Sequence, residues 1–300
     1  MTRTRHGDAG AGLLFLTPWL LGMLLLTIGP MLASLYLSFT DYNLFDAPEW
    51  IGLENYRRMF DDPRYLQSVR VTGGYVALAV PLKMLAALGV ALLLNQPRRG
   101  QGLYRSAFYA PSLIGASVSL SLVWKSIFSD GAIVDRGLGA IGLHTGGWVG
   151  RPQWSLPMLV LLAAWQFGGP MVIFLAGLKQ IPAELYEAAA VDGAGPWRRF
   201  RAVTLPMLSP VIFFNLLLEI IGAFQVFTSA FVIATGVGGG GGPAGSTLVY
   251  TVYLYDKGFS DFRMGYASAM AWMLVLGVGL ITALLFRTSR VWVHYAGEKP

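Results

Sequence analysis

Six stretches of this chain are long and apolar enough to cross a lipid bilayer as helices: residues 11–38, 71–94, 107–127, 156–178, 207–232 and 264–286. A bilayer core takes roughly 20 apolar residues of α-helix. Inside it every backbone N–H and C=O must be paired within the segment, so six such stretches predict a bundle of spanning helices and little else. The third stretch is diluted by Ser112, Ser117, Ser119, Ser121 and Lys125, and its alternative is a buried polar helix at membrane depth. The span is preferred because dropping it puts the flanking loops on inconsistent sides. The first stretch follows Arg3 and Arg5, as a signal peptide would, but its apolar run exceeds the roughly 7–15 residues of such a segment. An uncleaved span is expected, and with it one all-α polytopic transmembrane domain over residues 1–300. Composition agrees: 55% of residues are apolar, 13% are charged, and mean hydropathy is +0.56.

The net charge of +6 raises the question of nucleic acid. The basic residues sit in short clusters beside the apolar stretches and not along one face, which points to membrane orientation and away from a nucleic-acid partner. Six spans put both termini on one side. On that side the chain carries Arg3, Arg5, Arg98, Arg99, Arg105, Lys179, Arg198, Arg199, Arg201, Arg287, Arg290 and Lys299, twelve basic residues against nine opposite. The dense clusters lie close to span ends, where the positive-inside rule is read, so the termini and the 179–206 loop are expected in the cytoplasm of a plasma-membrane protein. The absence of cysteine excludes a disulfide framework, thiol catalysis and Cys-ligated zinc. His6, His144 and His294 form no ligand pattern, and no His-Glu-x-x-His or Gly-x-Ser-x-Gly appears, which argues against an intramembrane enzyme.

The 179–206 loop is the polar exception in an apolar chain. Residues 182–191 predict a short helix: Pro182 suits an early position, Glu184 and Glu187 suit the positive end of the helix dipole, and Ala188 to Ala190 propagate it. Gly193 permits a left-handed turn, after which Pro196-Trp197 begins a second helix whose Arg198, Arg199 and Arg201 face headgroups or partner acids. The small alanines would let another protein's groove approach closely. On composition alone an interfacial connector helix is the better reading of the segment.

The order Glu187-Ala188-Ala189, then Gly193, then Val203-Thr204-Leu205-Pro206, resembles the EAA loop in the membrane subunits of binding-protein-dependent ABC importers. Val203 stands where that motif more often has isoleucine. The resemblance implies the type I importer permease fold. It implies that Glu187, Ala188, Ala189 and Gly193 form a coupling helix inserted into an ATPase cleft, with Leu205 and Pro206 fixing the entry to the fifth span. It further implies a dimer of ABC ATPases holding ATP and magnesium, a second related permease subunit, and an extracytoplasmic solute-binding protein. The chain itself would bind no cofactor.

The outer loops point to one branch of that family. Ile51-Gly52-Leu53-Glu54-Asn55-Tyr56, in an aromatic-rich segment expected on the membrane surface, resembles the Gly-Leu-x-Asn-Tyr of carbohydrate-importing, maltose-type permeases. Thr235, Gly236, Gly238 to Gly242, Pro243 and Ser246-Thr247 resemble that branch's Thr-Gly-Gly-Gly-Pro and Ser-Thr segments, and Phe259 with Gly265-Tyr266-Ala267-Ser268-Ala269 completes the likeness. No Gly-Lys-Ser or Gly-Lys-Thr follows the glycine run, so it does not read as a phosphate cradle. In the 129–154 loop, seven glycines argue for turns and little regular structure.

Ionisable residues at membrane depth are functional candidates, and Lys83 in the second span and Glu219 in the fifth are both far from span ends. They could touch substrate or tie the bundle together as a pair. Asn215 and Glu219 share a face at i, i+4, with Gly222 a turn onward and Gln225 beside them. Phe224 or Phe227 could stack on a sugar ring. Trp165-Gln166 precedes Gly168-Gly169-Pro170, a helix break of the kind that frames substrate sites, and Pro81 suggests a kink near Lys83. Lys83, Gln166, Asn215, Glu219 and Gln225 are therefore the candidate path residues, for a sugar, oligosaccharide or glycerol-phosphate-like solute moved by alternating access. The alternative is an ion- or proton-coupled secondary transporter using Lys83 and Glu219, although no inverted repeat is evident.

Overall fold

The structure is a computed structural model that describes residues 6–96, 99–115, 117–143, 145–234 and 240–294. Arg3, Arg5, Arg98, His144, Thr235, Gly236, Gly238, Gly239 and Lys299 lie outside the described residues. Helix α1 (His6–Gly22) passes through a π-helical turn into α2 (Gly29–Leu37), and a two-residue hairpin follows, β1 (Thr40–Asp41) with β2 (Glu49–Trp50). Then come α3 (Glu54–Asp61), α4 (Pro63–Asn95), α5 (Gln101–Ile114), α6 (Val118–Ile127), α7 (Ile133–Ala140), α8 (Pro152–Trp165) and α9 (Gly168–Lys179). The chain continues through α10 (Ala183–Val191), α11 (Pro196–Arg199), α12 (Leu205–Phe224), α13 (Thr228–Ala234), α14 (Tyr250–Tyr255) and α15 (Met264–Trp292).

The helices divide into two compact units, one of residues up to Asp62 with Leu254–Val275, the other of Pro63–Tyr253 with the remainder of the chain from Leu276. In the first unit the hairpin pairs Thr40 with Trp50 and Asp41 with Glu49. Asn55 of the Gly-Leu-x-Asn-Tyr segment explains the motif physically: its side-chain amide donates to the Ser38 and Thr40 carbonyls at 3.0 and 2.9 Å, closing the strand onto the end of α2. Tyr56 joins in through a 2.9 Å bond with Ser38 Oγ. The backbone of Gly265 comes up against the same strand. Its N–H donates to the Tyr42 carbonyl at 2.9 Å, and a Cβ there would stand 2.0 Å from the Thr40 oxygen. Tyr266 adds a bond from its hydroxyl to the Asp62 carboxylate at 3.0 Å.

The second unit packs α4 against α8, α9 and α12, with α5 on α9 and α6 on α13. Its core joins Val80, Met84, Ala87, Ala91 and Leu94 of α4 to Met171, Phe174, Leu175 and Leu178 of α9 and Leu208 of α12. Small residues at 87 and 91 let the helices approach closely, the usual device where packing and not water expulsion holds helices together. The outside of the molecule is equally apolar. No residue of the best apolar window in Leu14–Leu37 is buried, and Phe15, Leu25, Leu26, Leu85, Leu276 and Leu280 are all exposed.

Four helical segments are long and apolar enough to cross a membrane: Leu14–Leu37, Pro63–Asn95, Pro196–Ala234 and Met264–Trp292. Each agrees with a predicted stretch, the last three running further, and α4 begins already at Pro63 and stays helical through Pro81. The third and fourth stretches are different. Each is a pair of shorter helices meeting at a bend of more than 40°. The fourth breaks at Gln166–Phe167, one step before the Gly-Gly-Pro sequence that signalled it. The third, expected as one span, is interrupted around Gly115 and Ser117; Ser117 caps α6 by accepting the Leu120 N–H at 3.2 Å. Its lysine has a partner in the bundle. Lys125 Nζ donates to the Val232 carbonyl at 3.4 Å, at the last turn of α13, where a cation complements the helix dipole.

The 129–154 loop also departs from expectation, because α7 forms despite Gly137 and Gly139 within it. The Asp135 carboxylate explains this: it accepts from Thr145 Oγ1 at 2.7 Å and from the N–H groups of Gly131 and Gly147 at 3.1 and 3.2 Å. The Thr145 bond, followed by the backbone bonds, holds its carboxyl down to about 2.

Candidate functional site

The site begins where two helices are interrupted. A break frees backbone groups that lipid cannot satisfy, so protein must pair them. Ser112 of α5 does this for the α8–α9 break: its Oγ donates to the Gln166 carbonyl at 3.1 Å and accepts the Gly169 N–H at 3.2 Å. Gln166 returns the bond across the gap, its side-chain amide donating to the Gly115 carbonyl at 3.3 Å. The two breaks are thereby tied to each other. Gly168 makes the approach possible, since a Cβ there would lie 2.6 Å from Ser112 Oγ and 2.9 Å from the Phe108 carbonyl.

Beside these breaks lies a cavity of about 340 Å³, lined by α4, α8, α12, the segment 225–227 and the start of α13. Tyr75, Ala79 and Lys83 reach it from one face of α4 at i, i+4, i+8 spacing. From α12 come Glu219 and Gly222. The helix ends at Phe224, so Gln225, Phe227, Thr228 and Ser229 enter from non-helical backbone and the following turn. Thr251 fixes that backbone by donating its hydroxyl to the Val226 carbonyl. Within the cavity Lys83 Nζ and Glu219 Oε2 are 2.8 Å apart, with side chains 19% and 17% exposed.

Four of the five predicted path residues therefore meet: Lys83, Gln166, Glu219 and Gln225. Asn215 does not. It is buried a turn away among the packed helices, and its Nδ2 has no acceptor among the described residues. The i, i+4 rule put Asn215 and Glu219 on one face, but the cavity stops short of the earlier turn. Of the two phenylalanines proposed for stacking, Phe227 lines the cavity and Phe224 does not. Tyr75, Thr228, Ser229 and Ser112 were missed, because single hydroxyls in apolar stretches carry no signal until their helices are packed.

The polar loop forms as expected in its first half. Helix α10 spans Ala183–Val191 with Pro182 at its N-cap. Its C-terminus closes with the Ala194 N–H on the Ala189 carbonyl at 2.9 Å and the Gly193 N–H on Ala190 at 3.0 Å, with Gly193 at φ 73°. That left-handed position is why glycine stands there. Glu187 and Ala188 are exposed, Ala189 half-buried. Tyr186 pins the helix from its inner side through a 3.0 Å bond with Thr204 Oγ1.

One expectation for the second half is corrected. Arg199 turns inward to donate to the Ala194 carbonyl at 2.7 Å, while Arg198 and Arg201 are exposed. Leu205 and Pro206 stand in the first turn of α12. The chain is helical from Pro196 through Phe224, entering α12 by way of a π turn at Phe200–Thr204 where the Leu205 N–H reaches back to the Phe200 carbonyl. Pro206 has no N–H to give, which favours such a local rearrangement.

Long helices with apolar outer surfaces, two helix breaks and a half-buried ion pair within a polar cavity define a polytopic membrane transport protein. Residues 72–291 match the binding-protein-dependent transport system inner membrane components, and the chain belongs to that family. It is 47% identical over 99% of its length, and 96% of the relative's, to the probable ABC transporter permease protein YesP of Bacillus subtilis. It is 33% identical to the lactose transport system permease protein LacF of Rhizobium radiobacter, over 93% of this chain and 94% of that one. A chain in the crystal structure of a bacterial ABC transporter importing the acidic polysaccharide alginate shares the fold, with a TM-score of 0.82, 21% identity, and coverage of 95% and 96%. The chain is a permease subunit of an ABC importer. This membership replaces the ion-coupled alternative.

Proposed function

We propose that this chain supplies one half of a saccharide pathway through the plasma membrane and is driven by a separate ATPase. The observation that carries the reading is the continuous helical run from Pro196 to Phe224, which joins the segment after α10 to Glu219 and Gly222 in the cavity wall. A load applied at Glu187, Ala188, Ala189 and Gly193 is passed through Tyr186, Thr204 and Arg199 to that helix, and Leu205 and Pro206 lie on its route. Closure of two ATPases around ATP and magnesium would draw this coupling helix toward its counterpart on a second permease and reorient the cavity. Counting each bent pair as one span gives six, with both termini and α10 cytoplasmic. An extracytoplasmic binding protein would deliver solute to the opposite face. The name of the lactose relative and the polar, partly aromatic lining of the cavity both support a sugar or oligosaccharide.

The test is the pair of substitutions Glu187→Ala and Gly193→Pro. Together they are expected to abolish uptake and co-purification of the ATPase while the chain still inserts in the membrane. Unchanged co-purification would falsify the docking role of α10.

A further inference from the structure

Arg105, away from the cavity, is a charge without a counter-charge. It stands one turn into α5, two residues before the third apolar stretch begins, and its Nε and Nη2 are buried with no acceptor among the described residues. A guanidinium stays charged at any working pH, so donors closed off from water in this way are costly. The elements packed against α5 cannot supply the anion. They are chiefly α9 and α4, and the chain has no Asp or Glu from residue 63 to 129 or from 136 to 183, which covers all three helices.

The surroundings point to what does supply it. Ser112 at the far end of α5 meets the start of α9, and Gln101 at the near end donates to the Leu94 carbonyl at the end of α4. The first turn of α5 therefore shares a rim with the last turns of α4 and α9, on the side of the bundle from which α10 continues. Arg99 and Lys179 are exposed on that rim. Beside Arg105, Leu103 and Tyr104 are 76% and 51% exposed, an apolar outer surface of the kind that acyl chains cover. The unpaired nitrogens, Nε and Nη2, form one edge of the guanidinium, and two parallel N–H bonds from such an edge match two oxygens of a phosphate. Arg105 as a whole is only half-buried, so its long side chain can turn that edge toward the headgroups while its stem stays against the helices.

We infer that Arg105, with Arg99 and Lys179 around it, binds the phosphate of an anionic phospholipid on the α10 side of the membrane. The lipid supplies the counter-charge that α4, α5 and α9 lack. A zwitterionic headgroup fits less well, because its own cation meets three others on the rim.

The test is thermal unfolding of the full chain in detergent with added phosphatidylglycerol or phosphatidylcholine. Phosphatidylglycerol should raise the wild-type unfolding temperature by about 2–4 °C, and phosphatidylcholine by much less. Arg105→Met keeps an unbranched apolar stem and loses the charge, so it should respond equally to the two lipids. Arg105→Lys keeps a point charge and should retain the preference at reduced strength. The decisive comparison needs no lipid. There Arg105→Met should unfold no earlier than wild type, because the guanidinium has no partner within the chain to lose. If Arg105→Met unfolds several degrees earlier without lipid, the arginine is paired inside the protein; if it prefers phosphatidylglycerol as strongly as wild type, the lipid binds elsewhere. Either result overturns the proposal. So does a second permease that co-purifies with wild type from lipid-depleted detergent but not with Arg105→Met, since the counter-charge is then a partner's carboxylate.

Discussion

The α10 segment and the cavity are built by opposite means. In α10 the closing bonds join residues close in sequence, Gly193 to Ala190, Ala194 to Ala189 and Arg199 to Ala194, and Tyr186 reaches no further than Thr204 of the same loop. In the cavity Lys83, Gln166 and Glu219 come from three helices far apart in the chain, and no one helix supplies a site. A local element keeps its shape while its surroundings move, which suits a joint exposed to a partner. An assembled cavity changes whenever one helix shifts against another, which suits a path that must open and close.

The sharpest way to break this comparison is to unmake the joint, and Glu187→Ala with Gly193→Pro should eliminate uptake altogether. Next comes the assembled site. Removing one charge, as in Lys83→Met, leaves the half-buried Glu219 without its partner, and about 1–3 kcal/mol of destabilisation is expected. Lys83→Met with Glu219→Gln should recover most of it. Thermal unfolding of the purified chain in detergent measures both, and equal losses in the single and double variants would show that the pair does not couple α4 to α12.

Smaller effects test how the breaks are held. Ser112→Ala removes a donor and an acceptor bridging α5 to the α8–α9 break, for a loss of about 1–2 kcal/mol. Gly168→Ala forces a methyl against the same Ser112 and should cost about 1–3 kcal/mol unless the serine gives way. The combined variant therefore ought to be less destabilised than the two losses summed. Additivity would place the strain on the Phe108 backbone instead.

The smallest expected effect belongs to a third, purely local element. Asp135 has its carboxyl lowered from 3.8 to about 2 by the bonds it accepts, so its contribution is fully present above 3.8 and disappears as pH falls toward 2. Amide exchange at Gly131 and Gly147, corrected for its intrinsic pH dependence, should lose protection across that window. In Asp135→Asn the pH dependence should vanish, and its persistence would assign the loop's order to another group.

The two regions also differ in how far the residues alone foretold them. Helix α10, its glycine stop and its exposed Glu187 follow from propensity, dipole and turn geometry, all of which act over a few residues. The four long helical segments follow from hydropathy for the same reason. The fourth stretch announced its break through Gly168-Gly169-Pro170, whereas the interruption at Gly115 and Ser117 did not stand out, because a serine-rich stretch is compatible with a continuous helix until another helix's Gln166 arrives to pair its carbonyl. Helical periodicity put Asn215 beside Glu219 but could not say how deep the cavity reaches. Arg199 read as a surface cation because its acceptor, the Ala194 carbonyl, exists only once Gly193 has turned the chain.

The sequence by itself determined that this chain lives in a membrane, how many apolar stretches it offers, and where the polar helix α10 starts and stops, because burial in lipid and local backbone preference depend on neighbours along the chain. Only the tertiary structure decided that Lys83 meets Glu219, that two broken helices satisfy each other through Ser112 and Gln166, and which polar groups share a cavity. Those choices depend on where separate helices cross, and crossing is set by packing across the whole bundle, which no single stretch of residues encodes.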